Sequence, residues 1–247
     1  IVVEFADLHL AEGNTIHSFD SLANADEYTY NGATGSCKKY YQDQSNGKYT
    51  PLFDVIGPVI LPQTQAFYGT DAAGVSGDDQ YIADFVIDAC KGAQQLGVDF
   101  ANYDQDNDGN VDLVYILYAG HGQADGGVST SIWPHAWDMQ SALYFGNTKQ
   151  TEYFVKANAA GQIISQNLPV LNGKTIMRYA CSNELIFSSS ARTSIGTICH
   201  EFGHVLGLAD LYVTDKRAPG NRKLVPGSWA LMSNGNYLNN GNTPPNL

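Results

Sequence analysis

The chain has 247 residues, a formal net charge of −12 and only 13 lysines and arginines. That balance argues against nucleic acid and against anionic membrane surfaces as partners. Hydrophobic content of 43% is ordinary, so a sizeable core is expected, and no apolar run reaches the roughly 20 residues of a membrane-spanning helix.

Residues 1–7 open the chain as an apolar core strand. No signal peptide precedes them, and a chain that begins inside a strand reads as a mature or trimmed form of an exported protein. A polar stretch to about residue 29 reads as loop with a short helix. Residues 35–44 can form a helix capped by Ser36. Residues 53–61 carry Pro58, with Pro62 just after, and read as irregular or edge strand. A Gly/Asp-rich loop over 69–79 leads into the clearest long helix, 79–96, where Ile82, Phe85, Val86, Ala89, Ala93 and Leu96 recur at spacings of three and four. Gly97 ends it. Residues 111–118 form a strong buried strand, followed by a glycine-rich loop over 120–127. Segments 132–137, 152–159 and 174–180 are strand candidates. A final helix is expected over 190–206, and 213–247 shows little regular structure. With no internal repeat and no low-complexity linker, 1–247 reads as a single domain of α/β (α+β) class.

The chemistry concentrates in the final helix. Its sequence includes His200-Glu201-Phe202-Gly203-His204, then Gly207 and Asp210 at intervals of three. On a helix, His200 and His204 lie one turn apart on one face, where two imidazoles can share a zinc ion. Glu201 is rotated about 100° from His200, so its carboxylate can approach a metal-held water without being a ligand. Gly207 suits a helix end, because a left-handed backbone costs glycine little. The turn it permits brings Asp210 back as third ligand, and a fourth position stays open, as hydrolytic zinc sites require.

A second constellation precedes the 111–118 strand. Asp104, Asp106, Asp108, Asn110 and Asp112 place oxygens at alternate positions, with Gly109 at position six, like the first part of a calcium loop. Position twelve is Tyr115 rather than Glu, which excludes a complete EF-hand. Four crowded aspartates repel one another without a cation, and Ca²⁺ is the expected ligand. The other reading is a solvated Asp-Gly turn. A third feature is Met232 within Trp229-Ala230-Leu231-Met232-Ser233. A methionine in a turn after a long zinc motif is the Met-turn of the metzincins, whose thioether floors the metal site. Cys37, Cys90, Cys181 and Cys199 match no zinc-finger spacing; buried free thiols and up to two disulfides are both open. Cys199, next to the first histidine, is expected to point away from the metal. His121 and His135 are expected to be structural.

Together these residues resemble the immune inhibitor A family of secreted bacterial zinc metallopeptidases. The resemblance rests on residues 200–212 and 229–233, and extends to 106–112 and Ile132-Trp133-Pro134-His135. It implies a metzincin-like catalytic domain with a twisted mixed sheet and an active-site helix, Asp completing the zinc site, secretion as a precursor, and calcium outside the active site. Members of the family continue past the Met-turn into further domains, so this chain is expected to be a fragment of a longer precursor. The expected activity is that of a secreted or cell-surface zinc endopeptidase acting on proteins or peptides, with Glu201 as general base and Tyr237 as a candidate oxyanion donor. The alternatives are another zincin with Asp as third ligand, such as a snapalysin-like protease, and an inactive protease fold kept as a binding or adhesion module. An intact Glu201 argues against the inactive module.

Overall fold

The computed structural model describes residues 1–72, 77–186, 189–212 and 226–245. In chain order the elements are β1 (Val2–Glu4), α1 (Ile16–Asn24), α2 (Cys37–Gln44), β2 (Val59–Ile60), α3 (Gln65–Gly69), α4 (Ile82–Gln95), β3 (Asn110–Val111), β4 (Val114–His121) and β5 (His135–Asp138). They continue with α5 (Met139–Tyr144), β6 (Phe154–Ala157), β7 (Ile163–Asn167), β8 (Val170–Leu171), β9 (Lys174–Ile176), β10 (Arg178–Leu185) and α6 (Ile195–Val205). The chain groups into two compact units, Ile1–Glu12 with Ile56–Ser190, and Gly13–Val55 with Ala191–Leu247. No helix among the described residues is long and apolar enough to cross a membrane.

The first unit is built on a mixed five-stranded sheet of order β2-β1-β4-β10-β5. Its pairings are parallel except for β5, which runs antiparallel to β10. The proline-bearing segment supplies the edge strand β2, as its missing N–H donors require. Helix α4 buries Ile82, Phe85, Val86, Ala89 and Ala93 in one core with Val3, Phe5, Ile116 and Tyr118 of the sheet. Rings of Phe5, Tyr68, Phe85 and Tyr118 pack at centroid distances of 5.8–6.3 Å, within the range where aromatic pairs attract.

Two expected strands divide. The 111–118 run breaks because Asp112 turns away from the ladder: its N–H donates to the Tyr103 carbonyl at 2.7 Å and its carboxylate accepts from Gln105 N at 3.1 Å. Residues 110–111 join a small sheet, β3-β9-β8, and only β4 enters the large one. The 174–180 segment divides likewise into β9 and β10. Strand β10 then runs on to Leu185 through buried polar residues that a hydropathy pattern reads as loop. Asn183 Nδ2 donates to Asp125 Oδ2 at 3.0 Å, and Glu184 accepts from Ala11 N at 2.8 Å and Gly120 N at 3.0 Å. Such partners lower the cost of burying polar side chains in a strand. The short helices α3 and α5 and the exposed strand β7 are further elements that the periodicity missed. Each of the two helices starts at a side-chain cap, Thr64 on Phe67 N and Asp138 on Ser141 N.

In the second unit, Ser36 caps α2 through Lys39 N, as its position suggested, and α1 begins with a capping box of Thr15 and Ser18. Helix α6 starts at Ile195, five residues later than expected, with Ser194 as N-cap. It is held by aromatic contacts: the Phe202 ring lies 5.2 Å from both Tyr41 and Phe53, and the Tyr41 hydroxyl donates to the Cys199 carbonyl at 2.5 Å. Near its start, Gly196 N donates to the Gly241 carbonyl at 2.8 Å. Of the segment expected to lack regular structure, the described part holds two short 3₁₀ turns, Gly227–Trp229 and Asn234–Tyr237; residues 213–225 and 246–247 lie outside the described residues.

Candidate metal centre

The helical spacing brings His200 and His204 together as expected, with ring centroids 4.9 Å apart and planes at 90°. Both rings are held from behind. His200 Nδ1 donates to the Leu231 carbonyl at 2.9 Å, and His204 Nδ1 donates to the Leu208 carbonyl at 2.9 Å. A carbonyl only accepts, so each Nδ1 carries the proton and each Nε2 keeps its lone pair. Burial also holds the His200 imidazole below its ordinary pKa, against the opposing pull of the Leu231 hydrogen bond. A neutral ring is the form that ligates a metal.

Past His204 the helix stops at Gly207, whose φ of +89° is a left-handed conformation that only glycine adopts freely. Leu208 N then bonds back to the Gly203 carbonyl, and Leu211 N bonds to the Met232 carbonyl at 2.7 Å. This turn delivers Asp210. Its Oδ1 lies 3.3 Å from His200 Nε2 and 3.3 Å from His204 Nε2. The same Oδ1 is buried and has no hydrogen-bond partner. Two lone-pair nitrogens facing a carboxylate oxygen without a bridging hydrogen is unfavourable unless something positive sits between them. A tetrahedral ion with ligand distances of about 2.0–2.1 Å has edges of about 3.3–3.4 Å, so the residues fit zinc. Met232 is buried beneath the helix. A Cβ on Gly203 would come within 2.7 Å of its Sδ, so the missing side chain at 203 is what lets the thioether approach.

The Glu201 carboxylate is buried, and its oxygen lies within 4.8 Å of the ligand nitrogens of both histidines. Burial, with the nearby Asp210 charge, pushes its pKa up to about 8 in the metal-free chain. Sequence reasoning passed over two contributors. One is the pair of carbonyls on Leu208 and Leu231. The other is Tyr212, whose hydroxyl is pushed above its ordinary pKa by burial and by the neighbouring Asp210, Glu201 and Tyr237. Its spacing of two from Asp210 was the only available signal. Tyr237 itself closes the 3₁₀ turn after Met232 and is 42% exposed.

In the first unit the structure gathers Asp104, Asp106 and Asp108 so that one oxygen of each lies within 4.8 Å of the others. Asn110 and Asp112 are turned differently. Asn110 Nδ2 donates to Asp108 Oδ2 at 2.9 Å, and Asp112 accepts from Gln105 N. The loop is not without a cation of its own, because Lys174 Nζ lies 2.6 Å from Asp104 Oδ2 and holds that carboxyl below the usual range. Repulsion among the aspartates is therefore partly relieved by the protein. The two histidines expected to be structural make hydrogen bonds within the first unit: His121 Nε2 meets the Ser189 carbonyl at 2.8 Å, and His135 bridges the Trp133 carbonyl and the Tyr179 hydroxyl. All four cysteines are buried free thiols, and burial, with Cys37 nearby, pushes the Cys199 thiol well above its ordinary pKa.

A mixed α/β fold with two metal-ready imidazoles and a buried carboxylate on one helix and its following turn points to the metallopeptidases as a class. The profile described as "Immune inhibitor A peptidase M6, catalytic domain" matches residues 7–246. The chain therefore belongs to the immune inhibitor A peptidase M6 family, as its motifs suggested, and its fold is that of a metallopeptidase catalytic domain. Immune inhibitor A of Bacillus thuringiensis subsp. alesti is 30% identical over 230 residues, covering 84% of this chain and 30% of that protein. The pre-pro-metalloprotease PrtV of Vibrio cholerae serotype O1 is 26% identical over 238 residues, covering 87% of this chain and 23% of PrtV. The chain thus spans under a third of the length of these relatives.

Proposed function

We propose that residues 1–247 form one catalytic domain of a secreted zinc endopeptidase that hydrolyses peptide bonds in proteins. The observation that carries this reading is Asp210 Oδ1, buried, without a hydrogen-bond partner, and 3.3 Å from the Nε2 atoms of His200 and His204. These three residues would hold the ion. Bound there, zinc supplies a Lewis acid that polarises a substrate carbonyl and acidifies water.

The chain's own residues do the rest. His200 and His204 present lone pairs because Leu231 and Leu208 fix their tautomers. Glu201 takes the proton of the attacking water and returns it to the departing amine. That role requires the ionised carboxylate, and beside a dication its carboxyl is held lower than in the metal-free site. Tyr237 is the candidate hydroxyl for the developing oxyanion. In the first unit, Asp104, Asp106 and Asp108, with Asn110 and Asp112 adjoining, hold a structural Ca²⁺, with Lys174 offsetting part of the charge. The net charge of −12 favours protein substrates over nucleic acid.

The experiment is turnover of casein or a quenched peptide by Glu201→Gln and Glu201→Ala, beside their zinc content. Both variants should keep zinc and fold while losing about 10²–10⁴-fold in rate. A chelator should silence the unsubstituted enzyme and zinc should restore it. Substantial hydrolysis by Glu201→Ala contradicts the base assignment. A full-length, processed protein that binds zinc without hydrolysing peptides would favour the binding-module reading.

A further inference from the structure

His200 is held at both ends. Its ring is fixed by the Leu231 carbonyl, which accepts from Nδ1 at 2.9 Å. The other end is the peptide plane that carries its Cα. Because the peptide bond is planar, the Cys199 carbonyl and the His200 Cα move together. That carbonyl accepts a hydrogen bond from the Tyr41 hydroxyl at 2.5 Å, across 158 positions of sequence. Along the helix its regular donor is the N–H four residues on, at Gly203. A carbonyl has two lone pairs, so the phenol takes the second. Tyr41 lies on α2, and its ring stands edge-on to Phe202 of α6, with centroids 5.2 Å apart and planes at 76°. Burial raises the pKa of this phenol above its ordinary value, so it stays protonated and keeps its donor. Gly203 leaves the space on this face: a Cβ there would lie 3.4 Å from the Tyr41 hydroxyl oxygen and 2.7 Å from Met232 Sδ.

We propose that Tyr41 is a positioning residue for the metal centre: its hydroxyl fixes the Cys199–His200 peptide plane and so sets where His200 Nε2 stands relative to His204 and Asp210. This rests on the zinc reading given above. With the ring pinned by Leu231 and the plane by Tyr41, the imidazole has little freedom left to swing about its Cα. The centre is sensitive to that freedom. His200 Nε2 stands 3.3 Å from Asp210 Oδ1, the length of one edge of a zinc tetrahedron, and metal–ligand distances tolerate only about 0.2 Å. A phenol suits the task, because it donates to a carbonyl without bringing a charge beside the ion. Loss of partners that orient a ligand weakens metal affinity by about 10–100-fold. Tyr41 acts through a peptide plane rather than on the ligand ring, so the lower end applies. It is buried, acts only through His200, and is distinct in role from Glu201 and from Tyr237.

The test is a zinc titration of the metal-free protein in competition with a chromophoric chelator of known affinity, beside the visible spectrum of the cobalt-substituted form, which reports ligand geometry. It compares the unsubstituted chain with Tyr41→Phe, Tyr118→Phe and His200→Ala. Tyr41→Phe keeps the ring against Phe202 and removes only the hydroxyl. Tyr118→Phe removes an equivalent buried bond in the first unit, from a phenol to the Ile132 carbonyl at 2.7 Å, and controls for lost stability alone. Both should lower the thermal midpoint of the metal-free protein. Only Tyr41→Phe should weaken zinc binding, by about 10-fold, and shift the cobalt bands. An unsubstituted zinc affinity in Tyr41→Phe overturns the proposal. So does an equal loss of affinity in Tyr118→Phe, which would make the effect one of general stability. If the unsubstituted chain binds no zinc, or His200→Ala binds it as tightly, the metal reading itself fails and takes this proposal with it.

Discussion

The position of α6 depends on a glycine that plays no chemical part. A Cβ built at Gly196 would lie 2.0 Å from the Asn236 carbonyl oxygen and 2.9 Å from the Gly241 carbonyl oxygen. The first contact is about 1 Å shorter than close-packed atoms tolerate, and backbone cannot swing aside as a long side chain can. Gly196→Ala therefore forces the 234–241 segment off the helix. Overpacking of this kind costs about 1–3 kcal/mol. Losing the Gly196 N to Gly241 O hydrogen bond of 2.8 Å adds about 1 kcal/mol. The better helix propensity of alanine returns about 1 kcal/mol. The net is roughly 1–3 kcal/mol of destabilisation, which for a chain of this size lowers the melting temperature by roughly 2–12 °C. Scanning calorimetry of the metal-free protein measures it directly. Gly207→Ala is the comparison, since its φ is +89° but nothing lies within 4 Å of its Cβ; it should cost only about 1 kcal/mol through backbone strain. A melting temperature for Gly196→Ala within about 2 °C of the unsubstituted protein, or a smaller loss than Gly207→Ala, would refute the packing described between α6 and the turn after Met232.

Two further outcomes are expected in the first unit. Calcium at about 100 times its dissociation constant should stabilise the fold by about 2.7 kcal/mol, and Asp106→Ala or Asp108→Ala should abolish that increment with zinc content unchanged; a melting temperature indifferent to calcium leaves only the Lys174-neutralised turn. Burial pushes the Asp79 carboxyl up to about 8, against its hydrogen bond from Trp133 N. Its fold-favoured form is therefore the protonated one: the contribution is fully present below about 4, fades as pH climbs toward 8, and is gone above. Asp79→Asn keeps an acceptor for Trp133 N without the charge, so the variant's melting temperature should gain on the unsubstituted protein between pH 5 and pH 8.5, and a difference that stays flat across that range contradicts the assignment.

The parts of the centre that were legible in the sequence are those fixed by local geometry. The spacing of His200 and His204, the left-handed glycine at 207 and the return of Asp210 follow from helix pitch and backbone sterics, which a linear reading contains. Helix α4 and the cap at Ser36 were legible for the same reason. What escaped were tertiary substitutions of one partner for another. Strand β10 continues through Asn183 and Glu184 because Asp125 accepts from the Asn183 amide and Ala11 and Gly120 donate to Glu184, and no pattern of hydropathy encodes those partners. The carbonyls of Leu208 and Leu231, which set the histidine tautomers, are backbone atoms and leave no mark on residue identity. The Lys174 contact to Asp104 joins residues 70 positions apart, so the acidic loop looked uncompensated from its own segment.

The account rests most heavily on one cluster of three ligands, and metal analysis tests it most directly. Elemental analysis of protein equilibrated with limiting zinc and freed of loose ions should give one zinc per chain for the unsubstituted protein. His200→Ala, His204→Ala and Asp210→Ala should each fall well below that, while Glu201→Gln should not. Retention of a full equivalent of zinc by Asp210→Ala or His204→Ala, or its loss from Glu201→Gln with the fold intact, would contradict the ligand set.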